Sequence, residues 1–481
     1  MNHYYSIFIA GFLGGLAALL MPCIFPMLPL TVGYFTKRHT GSSKGIGGAL
    51  VYGLSIVLIY VALGMLVTIC FGPNALNSLA TNGLFNFFFF VLLVVFAASF
   101  LGAFEITLPN RWVNKAEGNT GKKGMTGIFF MAAVLPLVSF SCTGPIIGTL
   151  LVQAATSGQR IGPALGMLGF GIALALPFVL FALFPSWLQR LPKSGGWLNS
   201  GKVVLGFLEL ALSLKFLSNV DLAYHWHWFN RDVFLVLWIL IFGLLGLYLL
   251  GKLHLSHDTV PAGIGVSRLF SGILIGAFSL WMVPGLWGAP LKSIAAFLPP
   301  QDSQDFDLYT QALTKNTSSP YREDVKWAAL FKAPLGLHAF FDYDEGMAYA
   351  QKVHKPVLID FTGHACVNCR KMEAAVWPDK TVYHLINEEY VLIQLYVDDK
   401  TELDKKEQYT SKFSGQPVTT IGDLNSDLQA THFNSNSQPD YVLLDGQGKL
   451  LVPPQGAVYG AAAYAAYLQS GVDQFGKLKN N

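Results

Sequence analysis

Two cysteines separated by two residues, Cys366 and Cys369, are the pattern in this chain with the clearest chemistry. They follow residues 356–361, an apolar run that predicts a strand, and they begin a stretch that predicts a helix. The N-terminus of a helix favours a thiolate, which is the nucleophile in disulfide exchange. The spacing therefore predicts that Cys366 attacks a disulfide and that Cys369 resolves the mixed disulfide.

Metal binding and haem attachment are competing uses of such a cysteine pair. A structural zinc site needs about four ligands, and this region offers no further cysteine, only scattered histidines such as His364. A c-type haem site requires histidine directly after the second cysteine, where Arg370 stands. We therefore predict redox chemistry at the pair, with no metal and no bound cofactor.

Two other cysteines occur in long apolar stretches, and each is followed by proline in a Cys-x-x-Pro pattern. Cys23 lies between Pro22 and Pro26, and Cys142 precedes Pro145. Proline breaks a helix, and broken backbone at membrane depth is tolerated only where it is buried in protein or lines a wet cavity. A single membrane cysteine is most often a small buried hydrophobe. A matched pair instead predicts that Cys23 and Cys142 are functional.

An internal repeat accompanies these two cysteines. The phrase Ile-Gly-Gly-Ala-Leu at 46–50 follows the first, and Ile-Gly-Pro-Ala-Leu at 161–165 follows the second. Each unit would contain three membrane spans. Because three is odd, the second unit must be inverted in the membrane relative to the first, as in carriers with alternating access.

The composition indicates a membrane protein, since 52% of the residues are apolar and 13% are charged. Residues 1–36 and 45–104 contain no charged residue, and a helix crosses the hydrocarbon core with roughly 20 apolar residues. The basic residues cluster in short loops, which argues against nucleic-acid binding. We predict about eight spans, near residues 5–35, 46–72, 84–108, 125–156, 162–187, 200–219, 232–251 and 267–290.

Loop charges predict the orientation. The odd-numbered loops contain 12 basic residues and the even-numbered loops contain about two, Arg160 and Arg231. Basic loops stay in the cytoplasm, so both termini and the C-terminal domain are predicted to lie outside it.

The C-terminal part has a different character. Residues 1–292 carry 16 Lys/Arg and 6 Asp/Glu, whereas residues 293–481 carry 16 and 23. From about residue 335, strands alternate with helices, which predicts an α/β domain with a mixed sheet. We predict a membrane domain at 1–292, a linker or insert at 293–334 and the α/β domain at 335–481. The predicted elements are helices at 344–354, 367–376, 381–389 and 461–472, strands at 356–361 and 391–397, and a hairpin of 441–445 with 449–452.

Together, the Pro-Cys-x-x-Pro of the first span, Cys142, and the strand that leads into Cys366-Val-Asn-Cys369 resemble the DsbD family of transmembrane thiol–disulfide reductases. The membrane part of that family is shared with the CcdA proteins. The resemblance implies a protein-disulfide reductase of the bacterial inner membrane with a thioredoxin-like C-terminal domain. Electrons would pass from cytoplasmic thioredoxin through Cys23/Cys142 to Cys366/Cys369, and then to extracytoplasmic disulfide proteins in processes such as cytochrome c maturation or disulfide isomerisation.

The same resemblance assigns supporting residues. Asp360 matches the buried acid of the strand before the cysteines, Glu373 matches an acid one helical turn after them, and Pro439 matches the cis-proline of thioredoxin folds. The chain departs from the family at Ala365, where tryptophan is usual. It also begins directly at the membrane, so we expect it to lack the outward immunoglobulin-like domain of DsbD.

Two alternative functions remain open at this stage. Cys23 and Cys142 could be soft ligands in an inverted-repeat transporter of a metal ion or thiol compound, although such paths usually contain more Met, His or Cys. The C-terminal domain could also be a binding or chaperone module on a membrane anchor, for which eight spans are far more than needed.

Overall fold

The computed structural model describes residues 2–19, 44–71, 82–104, 161–183, 195–255, 264–314 and 325–479. Several predictions concern residues outside these ranges. They are the span near 125–156 and the sites at Cys23, Cys142, Pro22, Pro26 and Pro145.

Seven of the predicted spans overlap helices, because their largely apolar stretches form helices with few polar side chains to bury. The helices are α1 Asn2–Ala18, α2 Lys44–Phe71, α3 Gly83–Phe100, α4 Ile161–Leu183, α5 Gly195–Ala223, α6 Arg231–Leu249 and α7 Val266–Met282. Four segments are long and apolar enough to cross a membrane: Gly83–Phe100, Ser200–Ala223, Arg231–Leu249 and Val266–Trp287. Helices α1, α2 and α4 contain shorter apolar stretches. The prediction of a polytopic helical membrane domain is confirmed.

Glycines bring α1 and α4 into backbone contact. A Cβ on Gly11 would lie 2.2 Å from the carbonyl oxygen of Gly166, and one on Gly15 would lie 2.6 Å from that of Phe170. Small residues allow such close approach between membrane helices. Helix α2 also packs on α4, where Tyr60 and Phe170 have ring centroids 5.5 Å apart. Because α2 and α4 begin with the repeated phrases, this packing fits the repeat, while the inversion stays a prediction.

The chain divides into two compact units. One comprises Met1–Leu76, Leu92–Leu210 and His254–Gly263, and the other comprises Asn77–Val91, Ala211–Leu253 and Ile264–Asn481. The second unit therefore contains the end of α5, the helices α6 and α7, and the α/β domain. The predicted boundaries at 292 and 334 stay a prediction.

The α/β domain is built on a four-stranded sheet in the order β1 (Ala339–Phe340), β3 (Val391–Tyr396), β2 (Val357–Thr362) and β6 (Asp440–Leu444). Strand β2 runs parallel to β3 and antiparallel to β6, which confirms the predicted mixed sheet. Both central strands are mostly apolar and are buried along their whole length, as expected for strands covered on two faces. The other strands are β4 Tyr409–Thr410 and β5 Pro417–Val418.

Helices cover both faces of this sheet. They are α9 Tyr343–Val353, α10 Val367–Ala375, α11 Lys380–His384, α12 Ile421–Phe433 and α13 Ala461–Lys479, and the short α8 Leu308–Thr314 precedes them. Side chains alternate along a strand, so Leu358 packs with α10 and α13, whereas Val357, Ile359 and Phe361 pack with α9 and α12. Asp360 lies two residues after Leu358, so its side chain points to the same face of the sheet, toward α10.

The structure differs from the predicted elements at a few places. Residues 449–452 form no strand, because the hairpin pairs only through a bridge between Leu444 and Leu450. The predicted helix 381–389 is α11 followed by the π-turn Leu385–Glu389. The short strand β1 and the helix α12 were not predicted.

Candidate functional site

Cys366 and Cys369 lie at the start of α10 and form a disulfide. Cys366 is the N-cap residue of the helix, and its Sγ accepts a hydrogen bond from the backbone N of Cys369 at 3.1 Å. Cys369 is 1% exposed, whereas Cys366 is half-buried. A partner disulfide can therefore reach the first sulfur far more easily than the second.

Asp360 lies in β2, where the register of the sheet places it directly opposite Gln394 of β3. The Gln394 amide Nε2 donates to Asp360 Oδ2 at 3.0 Å. The carboxyl is 1% exposed, and burial raises the pKa of Asp360 to about 7, against the opposing effects of Gln394 and Arg370. Asp360 can thus exchange a proton near neutral pH.

Glu373 lies four residues after Cys369 on α10, so both side chains project from the same side of the helix. Its Oε1 accepts a hydrogen bond from Arg370 Nη2 at 2.8 Å, and the same Nη2 lies 3.3 Å from Thr362 Oγ1. Burial raises the pKa of Glu373 to about 8; Arg370 opposes this shift and Asp360 adds to it. Two buried carboxyl groups, Asp360 in the strand before the cysteines and Glu373 on the cysteine helix, therefore have pKa values raised toward neutrality.

The backbone before Cys366 is held by Asp398, which follows β3. Its Oδ1 accepts from the backbone N of His364 at 2.8 Å, and its Oδ2 accepts from that of Ala365 at 3.1 Å. Gly363 permits this approach, because a Cβ there would lie 2.7 Å from Asp398 Oδ2. The position of the reactive cysteine therefore depends on a carboxylate more than 30 residues away in the sequence.

A second polar cluster adjoins this loop. Asp399 Oδ2 lies 2.9 Å from His364 Nε2 and 2.7 Å from His225 Nε2. His225 belongs to the loop between α5 and α6, and the neighbouring Lys400 N donates to Ala223 O at 3.2 Å. All of these residues belong to the second compact unit.

Two further features adjoin α10 and β2, an exposed tyrosine and a cis-proline. Tyr459, which is 53% exposed, donates from its hydroxyl to Asn368 Oδ1 at 2.8 Å. The bond between Gln438 and Pro439 is cis, as the resemblance implied. Pro439 directly precedes β6, whose first residue Asp440 pairs with Phe361 at the end of β2.

Among the residues predicted from the sequence, Cys366 and Cys369 lie at the N-terminus of α10, Asp360 lies in the strand that precedes them, and Glu373 lies about one helical turn after Cys369. Sequence reasoning did not identify Gln394, Asp398, Asp399 or His225 as neighbours of this site. A signal for Asp398 and Asp399 was available, because they follow the predicted strand β3. Parallel β2 and β3 end at the same edge of the sheet.

The fold and the site define a class, a multi-pass membrane protein with a thioredoxin-like domain. Residues 5–221 match the cytochrome c biogenesis protein transmembrane domain (DsbD_TM), and residues 343–471 match a thioredoxin-like domain model. These matches confirm the resemblance found in the sequence: the chain combines the transmembrane domain of the DsbD family with a thioredoxin-like domain.

Relatives named "Thiol:disulfide interchange protein DsbD" are similar to large parts of this chain. The protein of Pseudoalteromonas atlantica is 27% identical over 85% of this chain and 62% of its own length. The protein of Pseudomonas sp. is 29% identical over 76% of this chain and 57% of its own length. A Haemophilus ducreyi protein is 32% identical over 46% of this chain and 38% of its own length. The chain thus spans about three fifths of the length of the first two relatives, and these names give no support to the transporter alternative.

Proposed function

We propose that this protein is a transmembrane protein-disulfide reductase that transfers electrons outward by successive thiol–disulfide exchanges. The observation that carries the proposal is the position of Cys366 Sγ at the N-cap of α10, where it accepts a hydrogen bond from the backbone N of Cys369. Amide donation and the helix dipole both favour a thiolate at Cys366.

The outward step begins with the reduced pair. The Cys366 thiolate attacks one sulfur of a partner disulfide, a mixed disulfide forms, and the other partner sulfur leaves as a thiolate and takes up a proton. Cys369 then gives its proton to a carboxylate and attacks Cys366 Sγ, which breaks the mixed disulfide and releases the partner's first sulfur as a thiolate. That thiolate takes up the proton held by the carboxyl group. The partner gains two electrons and two protons, and Cys366 and Cys369 end in the disulfide that the structure contains.

Asp360 and Glu373 are the proposed proton acceptors for this step. Cys369 is buried and cannot easily lose its proton to water. A carboxyl group with a pKa near neutrality is ionised often enough to accept the thiol proton and protonated often enough to return it. In this proposal Pro439 shapes the surface beside the pair, as the family resemblance implies.

Electrons reach the domain from the membrane in the proposed relay. Cytoplasmic thioredoxin reduces Cys23 and Cys142, near which Pro22, Pro26 and Pro145 predict helix breaks, and this pair reduces Cys366 and Cys369. The inverted repeat would allow the first pair to face each side in turn. The relay requires the bacterial inner membrane and an extracytoplasmic thioredoxin-like domain, and the excess of basic residues in the odd-numbered loops supports that orientation. The acceptors are extracytoplasmic disulfide proteins.

The decisive experiment traps the intermediates in cells by acid quenching, alkylation and non-reducing electrophoresis. Cys369→Ser should accumulate reductant-sensitive adducts with outward proteins, and Cys366→Ser should accumulate none. Cys23→Ser or Cys142→Ser should leave Cys366 and Cys369 oxidised, because electrons cannot cross.

Cys70→Ser is the matched control. Cys70 lies in α2 outside the proposed relay, so its replacement should leave the wild-type pattern unchanged. If Cys366 and Cys369 stay reduced in the Cys23 variant, the membrane part does not supply their electrons and the proposed relay is wrong.

A further inference from the structure

His225, His364 and Asp399 place three potential ligand atoms close together. Two imidazole Nε2 atoms and one carboxylate oxygen lie within 4.8 Å of one another. The side chains of His225, His364 and Asp399 are 11%, 6% and 0% exposed. Within the described residues, this is the group of three or more His, Cys, Asp or Glu residues whose possible ligand atoms lie this close together.

Each member of the cluster is positioned by contacts of its own. Asp399 Oδ1 accepts from the backbone N of Thr401 at 2.9 Å, which directs Oδ2 toward both imidazoles. The ring of His364 stacks on Tyr396 with centroids 4.6 Å apart. The ring of His225 packs edge-on against Phe331 at 5.4 Å. Orientation of ligands by surrounding contacts is a regular feature of metal sites in proteins.

We propose that His225, His364 and Asp399 form a binding site for a divalent transition-metal ion of the Zn²⁺ type. Two imidazoles and one carboxylate suit zinc, whereas calcium and magnesium prefer oxygen ligands alone. Three protein ligands leave a fourth position for water, as in open zinc sites.

The two histidine–carboxylate distances need only a small change to admit the ion. Bonds of about 2.0–2.2 Å place the ligand atoms of a tetrahedral zinc site roughly 3.3 Å apart. The two histidine–carboxylate distances are 2.7 and 2.9 Å, so each must open by about half an ångström. In the present arrangement the Nε2 atoms donate to the carboxylate. On metal binding each neutral ring takes its Nδ1–H tautomer, and the Nε2 lone pairs face the ion.

The site would regulate the proposed electron transfer, and this consequence rests on the proposed function. His364 lies two residues before Cys366, and His225 lies in the loop between two membrane helices. An ion bound to both would fix that loop to the segment that carries the reactive cysteine. We expect zinc to slow the reduction of an outward disulfide protein by the wild-type chain.

The test measures zinc binding to the full-length protein in detergent after removal of metal by a chelator. All thiols are first alkylated or held in disulfides, so cysteine sulfur cannot contribute. Equilibrium dialysis should give one zinc per wild-type chain. His225→Gln, His364→Gln and Asp399→Asn should each bind zinc at least about 100-fold more weakly, because loss of a residue that only orients a metal ligand already costs 10- to 100-fold.

His227→Gln is the matched control, since His227 lies two residues from His225 in the same loop but is exposed. It should bind zinc like the wild type. Co²⁺ provides a second probe, because its visible absorption in a tetrahedral site should appear in the wild type and the control and vanish in the three variants. Hydrogen exchange of β2 and β3 verifies that each variant is folded.

Two results would overturn the site. The first is the absence of stoichiometric zinc binding by the wild type, which would mean that the three residues form a hydrogen-bonded cluster only. The second is equal zinc binding by the wild type and the three variants. Zinc binding requires no electron transfer, so an inactive relay with intact zinc binding would refute the proposed function alone. An active relay whose rate zinc lowers equally in wild type and His225→Gln would refute the regulatory role.

Discussion

Asp360 and Gln394 face each other across the two central strands, with the amide Nε2 3.0 Å from the carboxylate Oδ2. The pairing gives the buried acid one hydrogen bond, while its Oδ1 has no hydrogen-bond partner among the described residues. A carboxylate in such a place is costly to ionise. Ionisation of Asp360 in the folded state therefore costs folding free energy.

We predict that Asp360→Asn stabilises the thioredoxin-like domain above neutral pH. Burial raises the pKa of Asp360 from 3.8 to about 7 in the folded state, so between those values the native chain holds a proton that the unfolded chain has lost. The stability contributed by this group therefore falls as pH rises through that window. Asparagine cannot ionise, and the variant should gain up to roughly 4 kcal/mol in free energy of unfolding at pH 8.

Hydrogen exchange of the β2 and β3 amides in the full-length protein measures this difference. Asp404→Asn is the control, because Asp404 is exposed. Equal pH dependence of stability in wild type and Asp360→Asn would contradict the prediction.

We predict that Glu373→Gln lowers the apparent pKa of the reduced cysteine pair. Ionised Glu373 places a negative charge on the same side of α10 as Cys369 and so disfavours a thiolate. Glutamine retains an oxygen for Arg370 but carries no charge, and the shift should be roughly one pKa unit. The rate of alkylation of the pair against pH measures it, with the exposed Glu388→Gln as control. Superimposable profiles for wild type and Glu373→Gln would rule out this role.

We predict that Gly363→Ala destabilises the loop before Cys366. The new Cβ would lie 2.7 Å from Asp398 Oδ2, so the carboxylate must move and its hydrogen bonds to His364 and Ala365 weaken. Loss of such buried bonds should cost about 1–3 kcal/mol. Faster hydrogen exchange in residues 363–369 would show it. Gly446→Ala should exchange like wild type, since its nearest neighbour would lie at 3.5 Å.

We predict the orientation of the chain from its loop charges. A reporter that is active only outside the cytoplasm should be active when fused after Asn481 and silent when fused near Lys122, which lies in a basic loop. The reverse pattern would invert the proposed direction of electron flow and leave the thiol chemistry unaffected.

The sequence predicted those parts of the site that depend on local patterns. The strand before Cys366, the helix after it and the strand at 391–397 are recognisable from apolar runs, and the structure contains all three. Helix α12 was missed because its sequence is polar, although Thr420 and Asp423 form a capping box that marks its start. The pairing of His225 with Asp399 joins residues 174 positions apart. No local pattern encodes such a contact, because it depends on how the chain folds between them.

The glycine contacts between α1 and α4 also restrict how the membrane part can move. Helix α1 belongs to the first predicted repeat unit and α4 to the second, and their backbones touch at Gly11 and Gly166. We expect this contact between α1 and α4 to act as a pivot. The two predicted repeat units can rotate relative to each other about it, whereas sliding of α1 along α4 would push side chains against backbone atoms. Gly11→Ala should push α1 and α4 apart, and it should lower both the thermal stability of the protein and the turnover of the proposed electron transfer. Gly201→Ala, where a Cβ would meet nothing within 4 Å, should change neither, and equal behaviour of the two variants would exclude a pivot here.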